Sequence, residues 1–76
     1  MTELEYLELL CSNIKKIRKD KGIKQNELAF KIGIEPTNLR RIESAKSIPT
    51  FRTICKIATA LEEDVKNLIP DGRPTY

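Results

Sequence analysis

Residues 25–43 read QNELAFKIGIEPTNLRRIE, and this stretch decides the fold. Leu28, Ala29 and Ile32 recur at steps of one, three and four, as on one face of a short helix over 25–32. Leu39 and Ile42 mark a second such face over 35–44, where Pro36 sits at the first helical position, which needs no N–H. Only "GIE" separates the two. Helices joined so tightly must cross steeply, which requires a small residue at their approach and a permissive backbone in the turn. Ala29 meets the first need and Gly33 the second, since glycine adopts positive φ without penalty. With Ile34, Leu39 and Ile42 locking the pair onto one core, the pattern is a helix-turn-helix.

Outward from this pair, residues 4–21 predict a long first helix, with Leu4, Leu7, Leu10, Cys11, Ile14 and Ile17 on its inward stripe and Gly22 closing it. After the loop 45–49, Thr50 predicts an N-cap for a helix over 51–61, with Phe51, Ile54, Ile57, Ala58 and Leu61 inward. "EEDVKNLI" predicts a fifth short helix, ended by Pro70. Nothing alternates with a period of two. The expectation is an all-α, compact five-helix bundle, one domain over 1–69, followed by a flexible tail over 70–76.

Seventy-six residues hold one small domain, which buries only ~60–65% of its unfolded surface. There is no histidine, and the two cysteines cannot make a metal site or a Cys/His nucleophile, so neither metal nor cofactor nor enzymatic chemistry is expected. Cys11 and Cys55 read as small, reduced, buried hydrophobes. No membrane span or signal peptide is visible, which makes the cytoplasm the expected compartment. The net charge of +3 conceals segregation. Residues 1–12 carry three acids and no base, 13–56 carry twelve bases against four acids, and 57–76 carry two bases against four acids. A basic middle between acidic ends favours a polyanionic partner.

The 35–44 helix shows where that partner would lie. At about 100° per residue, Leu39 and Ile42 point inward, while Thr37, Arg40, Arg41 and Ser44 gather on the opposite side. In a helix-turn-helix this outward face enters the DNA major groove, its N-terminal residues nearest the base edges. Arginine can hold guanine O6 and N7 together, and threonine can touch a thymine methyl or donate through its hydroxyl. Pro36, Thr37, Arg40 and Arg41 are the candidate base contacts, Pro36 by apolar contact alone. The alternative is that both arginines face solvent or touch only phosphate. Lys24, Asn38, Ser44, Lys46, Ser47, Thr50 and Arg52 flank the surface and are candidates for phosphate. Phe30 lies off the inward stripe and reads either as a partly exposed packing residue or as a sugar contact.

The sequence "IKKIRKDKGIKQNELAFKIGIEPTNLRRIESAKSIPTFRTICKIATALEEDVKNL" resembles the Cro/C1-type helix-turn-helix domain of phage repressors and small bacterial regulators, the lambda-repressor-like fold. It is similar in size and layout to restriction–modification controller proteins. The resemblance covers residues 13–68 and implies five helices, DNA binding by the third, and a dimer. It also implies that Gln25 and the start of the second helix hold a phosphate. The chain departs from the family in two places. Glu35 stands where a Ser, Thr or Asp cap is usual, and "SAK" follows Glu43 where a glycine is usual.

Leu61, Val65, Leu68 and Ile69 are more apolar residues than a last helix needs, which predicts a homodimer contact beyond core completion. The leucine-rich start of the first helix is expected either to pack on the last helix or to join that contact. The leading expectation is a sequence-specific transcriptional regulator binding double-stranded DNA at a two-fold symmetric operator. The alternative is a DNA-binding antitoxin with a toxin protein as partner.

Overall fold

Thr2 opens the first helix with a reciprocal cap. Its hydroxyl accepts the Glu5 N–H at 3.1 Å, and the Glu5 carboxylate accepts the Thr2 N–H at 3.3 Å. In the computed structural model, which describes residues 1–72, α1 then runs over Glu3–Asp20. It is followed by α2 (Gln25–Ile32), α3 (Pro36–Glu43) and α4 (Phe51–Leu61). Thr50 caps α4 as expected, its hydroxyl accepting the Thr53 N–H at 3.1 Å. The described residues form no strand.

A fifth helix does not form. Residues Val65–Asn67 make a single 3₁₀ turn. Glu62 closes α4 in the left-handed conformation at φ 57°, and Asp64 stays extended. Pro70 has no N–H to return to the Lys66 carbonyl, so only one turn fits between. The described residues therefore form four α-helices.

The core gathers Leu10 and Ile14 of α1, Leu28, Ala29 and Ile32 of α2, Leu39 of α3, and Ile54, Ile57, Ala58 and Leu61 of α4. Leu68 completes it, fully buried. Removing such a side chain from water stabilises the fold by about 1.5–3 kcal/mol each. The buried part of α1 begins only at Leu10, because the helix starts before the body of the bundle. Leu4, expected inward, is 60% exposed for that reason. Phe51, also expected inward, is 67% exposed, since it occupies the first position of α4 on the flank of its inward stripe.

Two hydrogen bonds tie the chain end to α1. Tyr6 donates its hydroxyl proton to the Pro70 carbonyl at 3.2 Å, and the Asn13 amide donates to the Leu68 carbonyl at 3.0 Å. The start of α1 thus packs on the last segment. Pro70, where the tail is expected to begin, is buried. The remainder of that tail, 73–76, lies outside the described residues.

Candidate nucleic-acid interface

Gly33 ends α2 at φ 74°, ψ 33°. Its N–H donates to the Phe30 carbonyl at 3.2 Å, and the Ile34 N–H donates to the Ala29 carbonyl at 3.0 Å. Those two bonds reverse the chain within three residues and let α3 pack back against α2. A side chain at Gly33 would meet no atom within 4 Å, so the backbone angle is what calls for glycine here.

On α3, Leu39 and Ile42 face the core, and Thr37, Asn38, Arg40, Arg41 and Ser44 are exposed. Pro36 is half-buried at the start of the helix. Neither Arg40 nor Arg41 makes an ion pair among the described residues. The one acid on the helix proper, Glu43, is buried and points away from them.

Glu43 belongs to a network that a reading of outward faces misses. Arg18 grips its carboxylate with two hydrogen bonds, from Nε at 2.7 Å and Nη2 at 3.0 Å. Arg18 Nη1 donates to the Ile23 carbonyl at 2.8 Å, and the Gln25 amide donates to Glu43 Oε1 at 2.9 Å. The side chains of Arg18 and Glu43 are only 7% and 2% exposed. One buried cluster therefore fixes α1, the start of α2 and the end of α3 together, and no buried side-chain polar atom is left unsatisfied among the described residues. A signal for it did exist: Arg18 lies four residues after Ile14 and seven after Cys11, on the inward stripe of α1.

The cluster changes the reading of Gln25. Its amide group is held by Glu43, so the residue's position at the head of α2 is set by α3 rather than left free. Ser44 donates its hydroxyl proton to the Arg40 carbonyl at 2.9 Å, which closes its own helix. The Lys46 and Ser47 N–H groups both donate to the Arg41 carbonyl, at 2.8 and 3.2 Å, and this places those residues beside the C-terminal end of α3. Lys24 and Thr50 are exposed at the starts of α2 and α4. Arg52 is exposed as well, but lines a groove with Phe30 and Lys31, at the far end of α2 from Gln25. Phe30 itself is 87% exposed, and so is not a packing residue.

The expected dimer patch is smaller than the sequence suggests. Leu61 and Leu68 are 1% and 0% exposed within a single chain: Leu61 lies on the inward stripe of α4, and the 3₁₀ turn brings Leu68 onto the core. They complete the core and present no surface to a second copy. Val65 and Ile69 remain partly exposed at its edge. Cys11 is buried, and that burial pushes its thiol above the usual range; both cysteines are free thiols. The described residues hold no group of potential metal ligands, and no helix among them is long and apolar enough to cross a membrane.

Two helices joined by a three-residue turn on a helical core, the second with a basic outward face that makes no ion pair among the described residues, define a helix-turn-helix domain. The helix-turn-helix family HTH_3 matches residues 14–66, and the chain belongs to this Cro/C1-type family. The chain is 36% identical over 55 residues to the ImmF control region 10 kDa protein of Bacillus phage phi105, a match covering 72% of this chain and 61% of that protein. In structure it is similar to the restriction-modification controller protein C.AhdI from Aeromonas hydrophila, with a TM-score of 0.79 and 25% identity over 86% of this chain and 97% of that one. A transcriptional regulator of the same family from Vibrio cholerae superposes with a TM-score of 0.81 and 28% identity, covering 88% of this chain and 38% of the other.

Proposed function

We propose that this chain is a sequence-specific transcriptional regulator that binds double-stranded DNA as a homodimer at a two-fold symmetric operator. One observation carries the reading: α3 exposes Arg40 and Arg41 with no ion-pair partner among the described residues, while its acid, Glu43, is buried against Arg18. Removing that carboxylate from the outward face leaves a cationic helix of the right width for a major groove. Arg41, Arg40 and Thr37 are assigned to base edges and Pro36 to apolar contact beside them. Lys24, Asn38, Lys46, Ser47, Thr50 and Arg52 are assigned to phosphates. Gln25 and Ser44 join them through whatever acceptor or donor capacity their internal hydrogen bonds leave. Val65 and Ile69 are assigned to the two-fold contact.

Selection of bound sequences from a random DNA pool tests this directly. The native protein should enrich one two-fold symmetric sequence. Arg41→Ala should cost ~1–3 kcal/mol and relax preference at one base position, whereas Lys46→Ala should weaken all sequences alike. No enrichment at all, or an unchanged preference profile in the Arg41 variant, would refute the assignment.

A further inference from the structure

Two surface features are left unused by the proposed DNA contact, apart from Arg52, which borders the first of them. The first is the groove between the C-terminal half of α2 and the outer side of α4. Phe30 stands on its wall, 87% exposed, and Lys31, Arg52 and Lys56 line it with no acid among the lining residues. None of the three cations makes an ion pair with a described residue. The second is the outward strip of α1 before its buried part. Leu4 and Leu9 are 60% and 43% exposed there, interleaved with Glu5 and Glu8 and with no basic side chain.

We infer that the acidic strip of α1 from one copy of this chain docks into the basic α2–α4 groove of another. Each surface is an amphipathic half that the other completes. Leu4 and Leu9 offer apolar contact to Phe30, and Glu8 offers a carboxylate to Lys31 and Lys56. An exposed aromatic ring with an arginine beside it is a composition enriched at interface centres, with Lys31 and Lys56 as a charged rim. Opposite charges on the two faces steer the encounter and set the register. The contact joins unlike faces, so it differs in symmetry from the two-fold contact assigned to Val65 and Ile69, although Leu9 borders Ile69, and it does not depend on DNA binding.

The test uses the full chain without DNA and reads mass against concentration by sedimentation equilibrium. At low salt the native protein should grow in mass with concentration. At about 1 M salt, where charges are screened beyond ~3 Å, it should fall back to the species held by apolar contact alone. Glu8→Lys and Lys56→Glu, each folded by circular dichroism, should each weaken the salt-sensitive association roughly tenfold or more. An equimolar mixture of the two variants should regain it, because the new lysine strip then meets the new glutamate groove. The inference is overturned if native mass is independent of salt and concentration, or if the mixture fails to regain what each variant lost. It is equally overturned if Lys56→Glu lowers DNA affinity while leaving the mass unchanged, which would make phosphate the occupant of the groove. The two-fold reading fails separately, by a high-salt species that is monomeric.

Discussion

Ala45 carries the chain out of α3 at φ 59°, a left-handed conformation that ordinary side chains avoid. The geometry is held by the Ala45 N–H on the Ile42 carbonyl at 3.0 Å and the Lys46 N–H on the Arg41 carbonyl at 2.8 Å. The family's usual glycine after this helix is therefore missing from the sequence while the backbone turn it serves is kept. Positive φ costs a Cβ-bearing residue roughly 1–2 kcal/mol, partly offset by the greater unfolded-state freedom of glycine. Ala45→Gly is expected to stabilise the protein by about 0.5–1 kcal/mol, seen as a rise in the urea midpoint at unchanged slope. A fall in the midpoint would show that the turn carries no strain. Gly33 is the opposite case, where the required residue was visible in the sequence because "KIGIEP" leaves no other place for the reversal.

Among the elements, α3 is short and lacks a side-chain N-cap at Glu35, so its position depends on packing and on the Glu43 cluster. Breaking a buried pair leaves one charge unpaired, so Arg18→Met or Glu43→Leu alone should each cost about 3–5 kcal/mol. The double substitution should recover most of that loss in a denaturant cycle, since the apolar pair strands no charge. Additive losses would mean that the two groups act independently. Recovered stability without recovered sequence preference would show that the cluster serves to aim α3. By contrast, the Lys21–Glu63 pair at 3.6 Å is partly exposed and adds little. At the other end of the molecule, the Thr2 N–H and then its hydroxyl hold the Glu5 carboxyl below the usual carboxylate range. A lowered pKa favours the folded helix start above the ordinary carboxylate range, and that preference is lost as pH falls through the lowered value. In an NMR pH titration Glu5 should therefore move part of the way upward in Thr2→Ala, which removes the hydroxyl and keeps the N–H; an unmoved titration would dismiss the hydroxyl's share.

For the whole molecule, the charge pattern implies that binding is governed by phosphate neutralisation. If a dimer meets about six phosphates, affinity should fall by ~10³ between 50 and 200 mM salt. A two-fold dimer should also protect half-sites about one helical turn apart, ~10–11 bp between centres. Light scattering with and without DNA tests the dimer, with Val65→Lys and Ile69→Lys as probes of its contact. A charge at Leu68 would report on folding instead, because that side chain is fully buried in one chain. A protein that stays monomeric on a single asymmetric half-site would sink the two-fold operator.

Much of this was legible in the chain itself. Local periodicity determined the four helices, because an apolar stripe at helical spacing has one stable way to reach a core. The turn at Gly33 and the outward side of α3 followed from the same wheel, so Thr37, Arg40 and Arg41 emerged exposed where they were expected. What spacing along one helix could not reveal was what lay opposite it. Arg18 and Glu43 stand 25 residues apart and meet only when α1 and α3 pack, and Gln25 joins them for the same reason. Leu68 read as surplus until the turn at Val65–Asn67 folded it inward beside Leu61 of α4. Leu4 and Phe51 fit the stripes of their helices, but the core ends before it reaches them. Periodicity is a property of one element, whereas burial and pairing are properties of two or more, and only the tertiary structure decides them.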